Sequence, residues 1–110
     1  MLLYISDNNA VSDIKDKFNE CFPHLKIEFY NKRHKWKHAS PESQRIKEDV
    51  KIGEIRKKHN IGVLEIKSWD KTGEVEQQFK ESFGLYAQIF RFENNDWIQS
   101  VKSDKLTLAE

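Results

Sequence analysis

The sequence has 110 residues, of which 37% are hydrophobic, 12% aromatic and 34% charged. This apolar and aromatic content excludes a disordered chain, and the length predicts one domain, residues 1–110, with a modest core. The 19 basic residues nearly balance the 18 acidic ones, which excludes a general electrostatic attraction to nucleic acid or membranes.

Two further features bear on the cellular compartment. The chain has one cysteine, Cys21, so an internal disulfide is excluded. The first ten residues lack the basic and apolar regions of a signal peptide, and no run reaches the ~20 apolar residues of a membrane span. We therefore expect a cytoplasmic protein with no membrane partner.

The first 30 residues predict a strand, a helix and a second strand. Leu2–Ser6 forms the first strand, and Ser12 or Asp7 caps the helix that follows. Pro23 stops the helix, and Leu25–Tyr30 alternates between apolar and polar side chains as a half-buried strand does. The apolar stripe of the helix is expected to comprise Val11, Ile14, Lys15, Phe18, Cys21 and Phe22.

Residues 31–60 are interpreted as an insertion. They open with a basic stretch, residues 31–38, after which Ser40 and the proline beside it are typical of a helix start. We predict a helix over Pro41–Asp49, a break near Val50 and a second helical turn over Ile52–Lys58. Gly53 is the reason for the break, because glycine weakens a continuous helix.

After the insertion the order of strand, helix and strand returns. Val63–Lys67 is the strand, and Asp70 or Thr72 caps the helix. Gly84 ends the helix, because glycine adopts the left-handed conformation without a Cβ clash, and Leu85–Phe92 is the next strand. The helix stripe is expected to comprise Val75, Gln78, Phe79, Ser82 and Phe83.

A hairpin and a fifth strand complete the predicted elements. Asparagine and aspartate tolerate positive φ, so Glu93–Asp96 predicts a hairpin turn. Trp97–Val101 is the added C-terminal strand.

The two strand-helix-strand units align without a gap at an offset of 61 residues, the separation of Phe22 and Phe83. Identical residues at this offset are Leu3 and Leu64, Ile5 and Ile66, Phe18 and Phe79, Glu20 and Glu81, and Phe22 and Phe83. This indicates an internal repeat of a β-α-β unit. It predicts an α+β domain of ferredoxin-like type, with Leu2–Ser6 and Val63–Lys67 central in one antiparallel sheet, two helices on one face, the inserted helical segment and the added strand.

If both helices cover one face of this sheet, the other face carries aromatic side chains. The predicted interaction face comprises Tyr4, Tyr30, Phe90, Phe92 and Trp97. Large exposed apolar patches mark binding surfaces, so we expect a non-catalytic protein-interaction module or a homodimer that uses this face or the fifth-strand edge. Alternatively, residues 41–58 cover the face within the monomer.

Binding of single-stranded nucleic acid is the alternative function, and it is not favoured. The residues that would contact phosphates and bases are Lys32, Arg33, Lys35, Trp36 and Lys37. A solvated loop explains the same residues, and the carboxylates of Glu28 and Glu65 on the sheet face would repel phosphate.

The sequence contains no recognisable catalytic motif. His34 and His38 have the spacing of neighbours on a helix, but no third ligand stands at a metal-site spacing. Neither a nucleophile motif nor a glycine-rich phosphate loop occurs. We expect no metal and no cofactor, and an enzyme would require distant residues to assemble a site.

The C-terminal third contains a series of short motifs, namely Gln77–Glu81, Phe83–Leu85, Gln88–Arg91, Trp97 and Leu106–Leu108. In these motifs the chain resembles small bacterial proteins of unknown function. Those proteins share a helix ending in Phe-Gly-Leu, a strand with Gln-Ile-Phe-Arg or Gln-Val-Phe-Arg, a tryptophan-containing strand and a Thr-Leu end. Asn94 and Asn95 stand where a glycine turn is expected. The resemblance supports the α+β architecture and transfers no site residue.

Overall fold

The computed structural model describes residues 1–31, 44–56, 58–99 and 107–109. Its elements in chain order are β1 (Leu2–Ile5), α1 (Val11–Cys21), β2 (Leu25–Tyr30), a 3-10 helix (Ile52–Glu54), β3 (Gly62–Glu65), α2 (Thr72–Phe83), β4 (Tyr86–Glu93) and β5 (Asp96–Gln99). The α+β class and the predicted order of five strands and two helices are confirmed.

The described strands form two antiparallel sheets, one of β1 with β3 and one of β2, β4 and β5. A ferredoxin-like sheet would keep β1 and β3 between β2 and β4. The central pair is present, but β2 and β4 pair with each other over six residues, from Leu25 opposite Arg91 to Tyr30 opposite Tyr86. The four-residue strands β1 and β3 offer fewer cross-strand contacts. The prediction of a single sheet is therefore wrong.

The pairing register supports the internal repeat. Leu3 lies opposite Leu64, its own counterpart at offset 61, so the first sheet has a local two-fold axis at its centre. In the second sheet the counterparts of Ile27 and Glu28 at this offset are Gln88 and Ile89. The offset therefore converts the central pair Ile27–Ile89 of the β2–β4 ladder into the neighbouring pair Glu28–Gln88. Each strand of the two β-α-β units thus pairs with its own counterpart.

The repeat also extends into residues that the sequence assigned to the insertion. Ile52 donates its N–H to Asn9 O at 2.8 Å, and Leu108 donates its N–H to Asp70 O at 3.0 Å. Asn9 and Asp70 are counterparts at offset 61, and the side chains of Ile52 and Leu108 are both fully buried. The insertion is therefore shorter than predicted. Sequence comparison did not detect these turn contacts because the backbone makes them and they need little sequence identity.

Side chains from both units pack into one hydrophobic core. Phe18 of α1 and its counterpart Phe79 of α2 are completely buried, and the Phe79 ring meets the Phe29 ring edge-on at 5.5 Å. Cys21 was expected in this core, but it is exposed. It is the last residue of α1, and Phe22 enters the core in its place.

Both helices begin close to the predicted residues, but neither is capped as predicted. The N-cap residues of α1 and α2 are Ala10 and Lys71, and neither makes a side-chain cap hydrogen bond. Asp70 instead accepts the Lys67 N–H at 2.9 Å within the preceding turn. Short polar side chains make such turn bonds in competition with helix caps.

The predicted helix Pro41–Asp49 is wrong over residues 45–49, and of its described residues Gln44 alone is in a 3-10 helical conformation. Gln44 O accepts the Asn31 N–H at 3.0 Å, and Ile46 donates its N–H to Phe29 O at 2.8 Å. This stretch therefore pairs with the end of β2, and burial of Ile46 outweighs its helical tendency. The predicted second helical turn is present as the shorter 3-10 helix.

Two turn predictions are confirmed. Gly84 follows α2 with a φ of 67° and donates its N–H to Lys80 O at 3.0 Å. Asn94 and Asn95 adopt φ values of 51° and 63° between β4 and β5. Both sites need left-handed backbone conformations, which glycine and asparagine tolerate.

Candidate protein-interaction site

The edge of β1 that faces away from β3 is the first feature of the candidate site. Met1 and Ile66 exchange two hydrogen bonds, of 2.6 and 2.9 Å. Such pairs alternate with unbonded pairs along an antiparallel ladder. The pairs without hydrogen bonds are Leu2 with Glu65 and Tyr4 with Val63. The N–H and C=O groups of Leu2 and Tyr4 therefore point away from β3. Within the described residues, β1 pairs with β3 alone.

An open groove of about 510 Å³ runs beside this free edge. One wall is Leu2, Leu3 and Tyr4 of β1, and the floor includes Ile14 of α1. The opposite wall is a stripe of α1 that consists of Asp13, Asp16, Lys17 and Glu20. Strand β3 is fully described and contributes nothing to the lining, so the groove lies on the free side of β1.

Exposed apolar side chains lie on the outer face of the β1–β3 sheet, beside the exposed Glu65 opposite Leu2. Tyr4 and Val63 lie directly opposite each other and are 58% and 55% exposed. Leu2 and Ile61 extend the patch and are 71% and 65% exposed. We call these four residues the outer face. Several large apolar side chains exposed together are typical of a contact surface.

A charged cluster joins the end of β1 to the end of α2. Arg56 donates from Nε and Nη2 to Asp7 Oδ1 at 3.0 and 2.8 Å, and from Nη1 to Phe83 O at 3.0 Å. His59 Nδ1 lies 2.8 Å from Asp7 Oδ2. The Arg56 hydrogen bonds lower the pKa of Asp7 below its usual 3.8. The Asp7 carboxylate is therefore a weak base, suited to holding Arg56 by hydrogen bonds and poorly suited to accepting protons near neutral pH.

A second charged cluster attaches α1 to β2. Lys15 Nζ lies 2.7 Å from Glu28 Oε1 and 2.7 Å from Glu48 Oε1. Burial opposes the charge of Lys15, but the hydrogen bonds to both carboxylates outweigh it and raise the Lys15 pKa above 10.5. The hydrogen bond from Lys15 lowers the pKa of Glu48. Since Lys15 and Glu28 are largely covered, this cluster has a structural role.

An aromatic cluster lies on the second sheet. The rings of Phe92 and Trp97 are 5.1 Å apart. Lys26 Nζ lies 5.0 Å from the centre of the Phe90 ring and 5.2 Å from that of Trp97. A cation over aromatic faces is stabilised electrostatically. The surface of this cluster therefore combines stacking groups with one positive charge.

The structure separates the residues of the predicted interaction face. Tyr4 is on the first sheet, whereas Phe90, Phe92 and Trp97 are on the second. Phe92 is exposed, and Phe90 and Trp97 are half-buried. Tyr30 is buried, so it offers no accessible surface. The predicted nucleic-acid residues Lys32, Arg33, Lys35, Trp36 and Lys37 lie outside the described residues.

The groove was missed at the sequence level, although one signal for it exists. Asp13, Asp16, Lys17 and Glu20 recur at three- and four-residue spacing, which places them on one side of a helix. A polar stripe is ordinarily read as a solvated surface. Only the placement of β1 beside this stripe makes it the wall of a groove.

The described ranges contain no cluster of histidine, cysteine, aspartate and glutamate that could hold a metal ion, and His34 and His38 lie outside them. Among the described helices, none has the length and apolar content to cross a membrane. Comparisons with protein-family models, curated proteins and solved structures found no match. The likeness of the C-terminal third to small bacterial proteins stays a prediction.

Proposed function

We propose that this protein is a non-catalytic protein-interaction module that binds an extended segment of a partner protein at the free edge of β1. The observation that carries the proposal is the outward direction of the Leu2 and Tyr4 backbone groups beside the groove. An extended peptide adds to such an edge by main-chain hydrogen bonds, and neighbouring pockets select its side chains.

The dimensions suit a short segment. Leu2 and Tyr4 together offer two N–H donors and two C=O acceptors to an added strand. The side chains of an added strand would alternate, so every second one would face the wall that α1 forms. The edge carries no proline or lysine, the residues that commonly protect strand edges from pairing.

Self-association through the outer face is a second candidate, favoured by the exposure of Leu2, Tyr4, Ile61 and Val63. Light scattering over a concentration series tests it. If two copies pack outer face to outer face, Val63→Lys converts a dimer to a monomer. Trp69→Lys, which changes an exposed tryptophan outside this face, leaves the dimer intact.

Binding of single-stranded nucleic acid is a third candidate, favoured by the position of Lys26 over Phe90 and Trp97. The test is fluorescence polarisation with a labelled twelve-residue oligothymidine at low salt. Binding that is lost in Trp97→Ala supports this function. Equal binding by the wild type and Trp97→Ala excludes the aromatic cluster as the site.

The edge proposal is tested with three labelled six-residue peptides in which valine alternates with lysine, with serine or with glutamate. Tyr4→Pro removes an outward N–H without breaking a β1–β3 hydrogen bond. Val63→Pro is the matched control, since Val63 lies directly opposite on the other edge. Binding of at least one peptide, lost in Tyr4→Pro and kept in Val63→Pro, supports the proposal. Equal binding by both variants refutes it, provided that thermal unfolding shows both to be folded.

A further inference from the structure

The geometry points to the chemical class of the partner: we infer that the groove between β1 and α1 selects extended segments that carry positively charged side chains at alternate positions. This inference rests on the proposed function, because it concerns the segment that would add to the edge of β1. The observations behind it are the charge of the α1 wall and the spacing of its side chains.

The α1 wall is predominantly negative. Asp13, Asp16 and Glu20 supply three carboxylates, and Lys17 supplies one ammonium group. All four residues are exposed, so the wall is open to a ligand. Asp13 also accepts the Ala10 N–H at 2.9 Å, which fixes this carboxylate at the start of the helix. A segment with positive side chains toward this wall is favoured electrostatically over a neutral or acidic one.

The spacing of the carboxylates matches the repeat of an added strand. Residues three or four positions apart on a helix are roughly 4.5 to 6 Å apart along its axis. Every second side chain of a strand recurs at roughly 6.5 Å. Asp13, Asp16 and Glu20 stand on successive turns, so basic side chains at alternate strand positions can each approach a carboxylate. The edge supplies affinity through the backbone, and the wall supplies the preference for charge.

The same charges disfavour a second copy of this chain as the occupant. Two copies joined edge to edge at β1 would place two α1 walls, and therefore six carboxylates, beside the two joined β1 strands. Like charges brought together at an interface oppose association. The outer face carries one exposed carboxylate per copy, that of Glu65 opposite Leu2, so self-association there is a separate question.

The preference can be measured with the peptides already described, at low and high salt. Exposed ion pairs each contribute modestly, and two such pairs predict roughly fivefold tighter binding of the lysine peptide than of the serine peptide. The glutamate peptide binds more weakly than both. High salt reduces the difference, because it screens exposed charges.

A pair of charge-matched double variants locates the preference. Asp16→Asn with Glu20→Gln removes two carboxylates from the groove wall and spares the hydrogen bond that the Ala10 N–H donates to Asp13. The control, Glu74→Gln with Glu81→Gln, removes two carboxylates from α2, where these exposed residues are the counterparts of Asp13 and Glu20. We expect the groove variant to bind the lysine and serine peptides equally and the control to keep the fivefold preference.

The outcomes separate the two proposals. If the wild type binds the lysine and serine peptides equally at the β1 edge, selection by charge is overturned and the proposed function stands. If the preference survives in the groove variant, the α1 wall is not its source and the inference fails. If none of the three peptides binds, both are overturned.

Discussion

Replacement of Arg56 by methionine tests whether the charged cluster around this buried side chain holds the two β-α-β units together. The Arg56 side chain has 0% exposure, and it bonds Asp7 after β1 and the Phe83 carbonyl at the end of α2. Methionine retains much of the apolar stem but donates no hydrogen bond. Arg56→Met therefore removes the links while largely preserving the packing.

The expected loss of stability in Arg56→Met comes mainly from the Phe83 carbonyl, which loses its hydrogen-bond donor. Asp7 is 39% exposed and keeps His59 as a partner, so water can replace Arg56 at the Asp7 carboxylate. The Phe83 carbonyl loses a hydrogen bond from a charged donor, which costs about 1.5–3 kcal/mol. The variant no longer has to remove the Arg56 guanidinium from water, and the absence of this desolvation cost offsets part of the loss. We expect a loss of about 2 kcal/mol, or a fall in Tm of about 10 °C for a domain of this size.

Urea unfolding followed by circular dichroism at neutral pH measures the effect. Lys51→Met is the control with the same change of charge, because the Lys51 side chain is exposed and its Nζ donates to Asn8 O at 3.2 Å. This variant should lie within about 0.5 kcal/mol of wild type. An Arg56→Met protein as stable as Lys51→Met, with an unchanged dependence on urea, would refute the structural role of the cluster.

Three further predictions concern single residues. Gly84→Ala should destabilise the protein by about 1 kcal/mol, since its φ of 67° is left-handed and an added Cβ would lie 3.1 Å from the Lys58 Cβ; Gly84→Asn should cost less in the same urea assay. Glu76→Ala should cost about 1–3 kcal/mol, because the buried Glu76 carboxylate accepts the Ile89 N–H at 2.8 Å, and Tm should fall accordingly. Protonation of Asp7 should destabilise the fold at acid pH: its folded pKa is lowered, so its contribution is complete above about pH 4 and is lost as the pH falls further. The urea midpoint of wild type should therefore fall more steeply below about pH 4 than that of Asp7→Asn, and parallel curves would contradict the linkage.

The internal repeat has a physical consequence for strand pairing. A β-α-β unit leaves strand edges unpaired, and a second copy of the unit supplies matching edges. Leu3 opposite Leu64 shows how equivalent residues meet across a local two-fold axis. The sequence offset predicted the equivalence, but it could not predict which edges would join.

The candidate site was only partly predictable. Tyr4 was expected on an accessible face, and the structure exposes it. Tyr30 was expected beside it because a strand of alternating pattern predicts one wet side. Residues 44–46 pair along the end of β2, and Tyr30 is buried. Contacts between segments that are distant in sequence leave no local periodicity from which to predict them.

What the sequence determined by itself is local in origin. The buried apolar residues of α1 and α2, such as Phe18 and Phe79, follow from helical periodicity, although Cys21, Gln78 and Ser82 of the predicted stripes are exposed. The turns at Gly84 and Asn94 follow from the left-handed conformations that few residues tolerate. What only the tertiary structure decided is which surfaces meet. The pairing of β2 with β4, the burial of Arg56 and the groove beside β1 all depend on contacts between distant segments. Such contacts are selected by the shared burial of whole elements, and no short stretch of sequence contains that information.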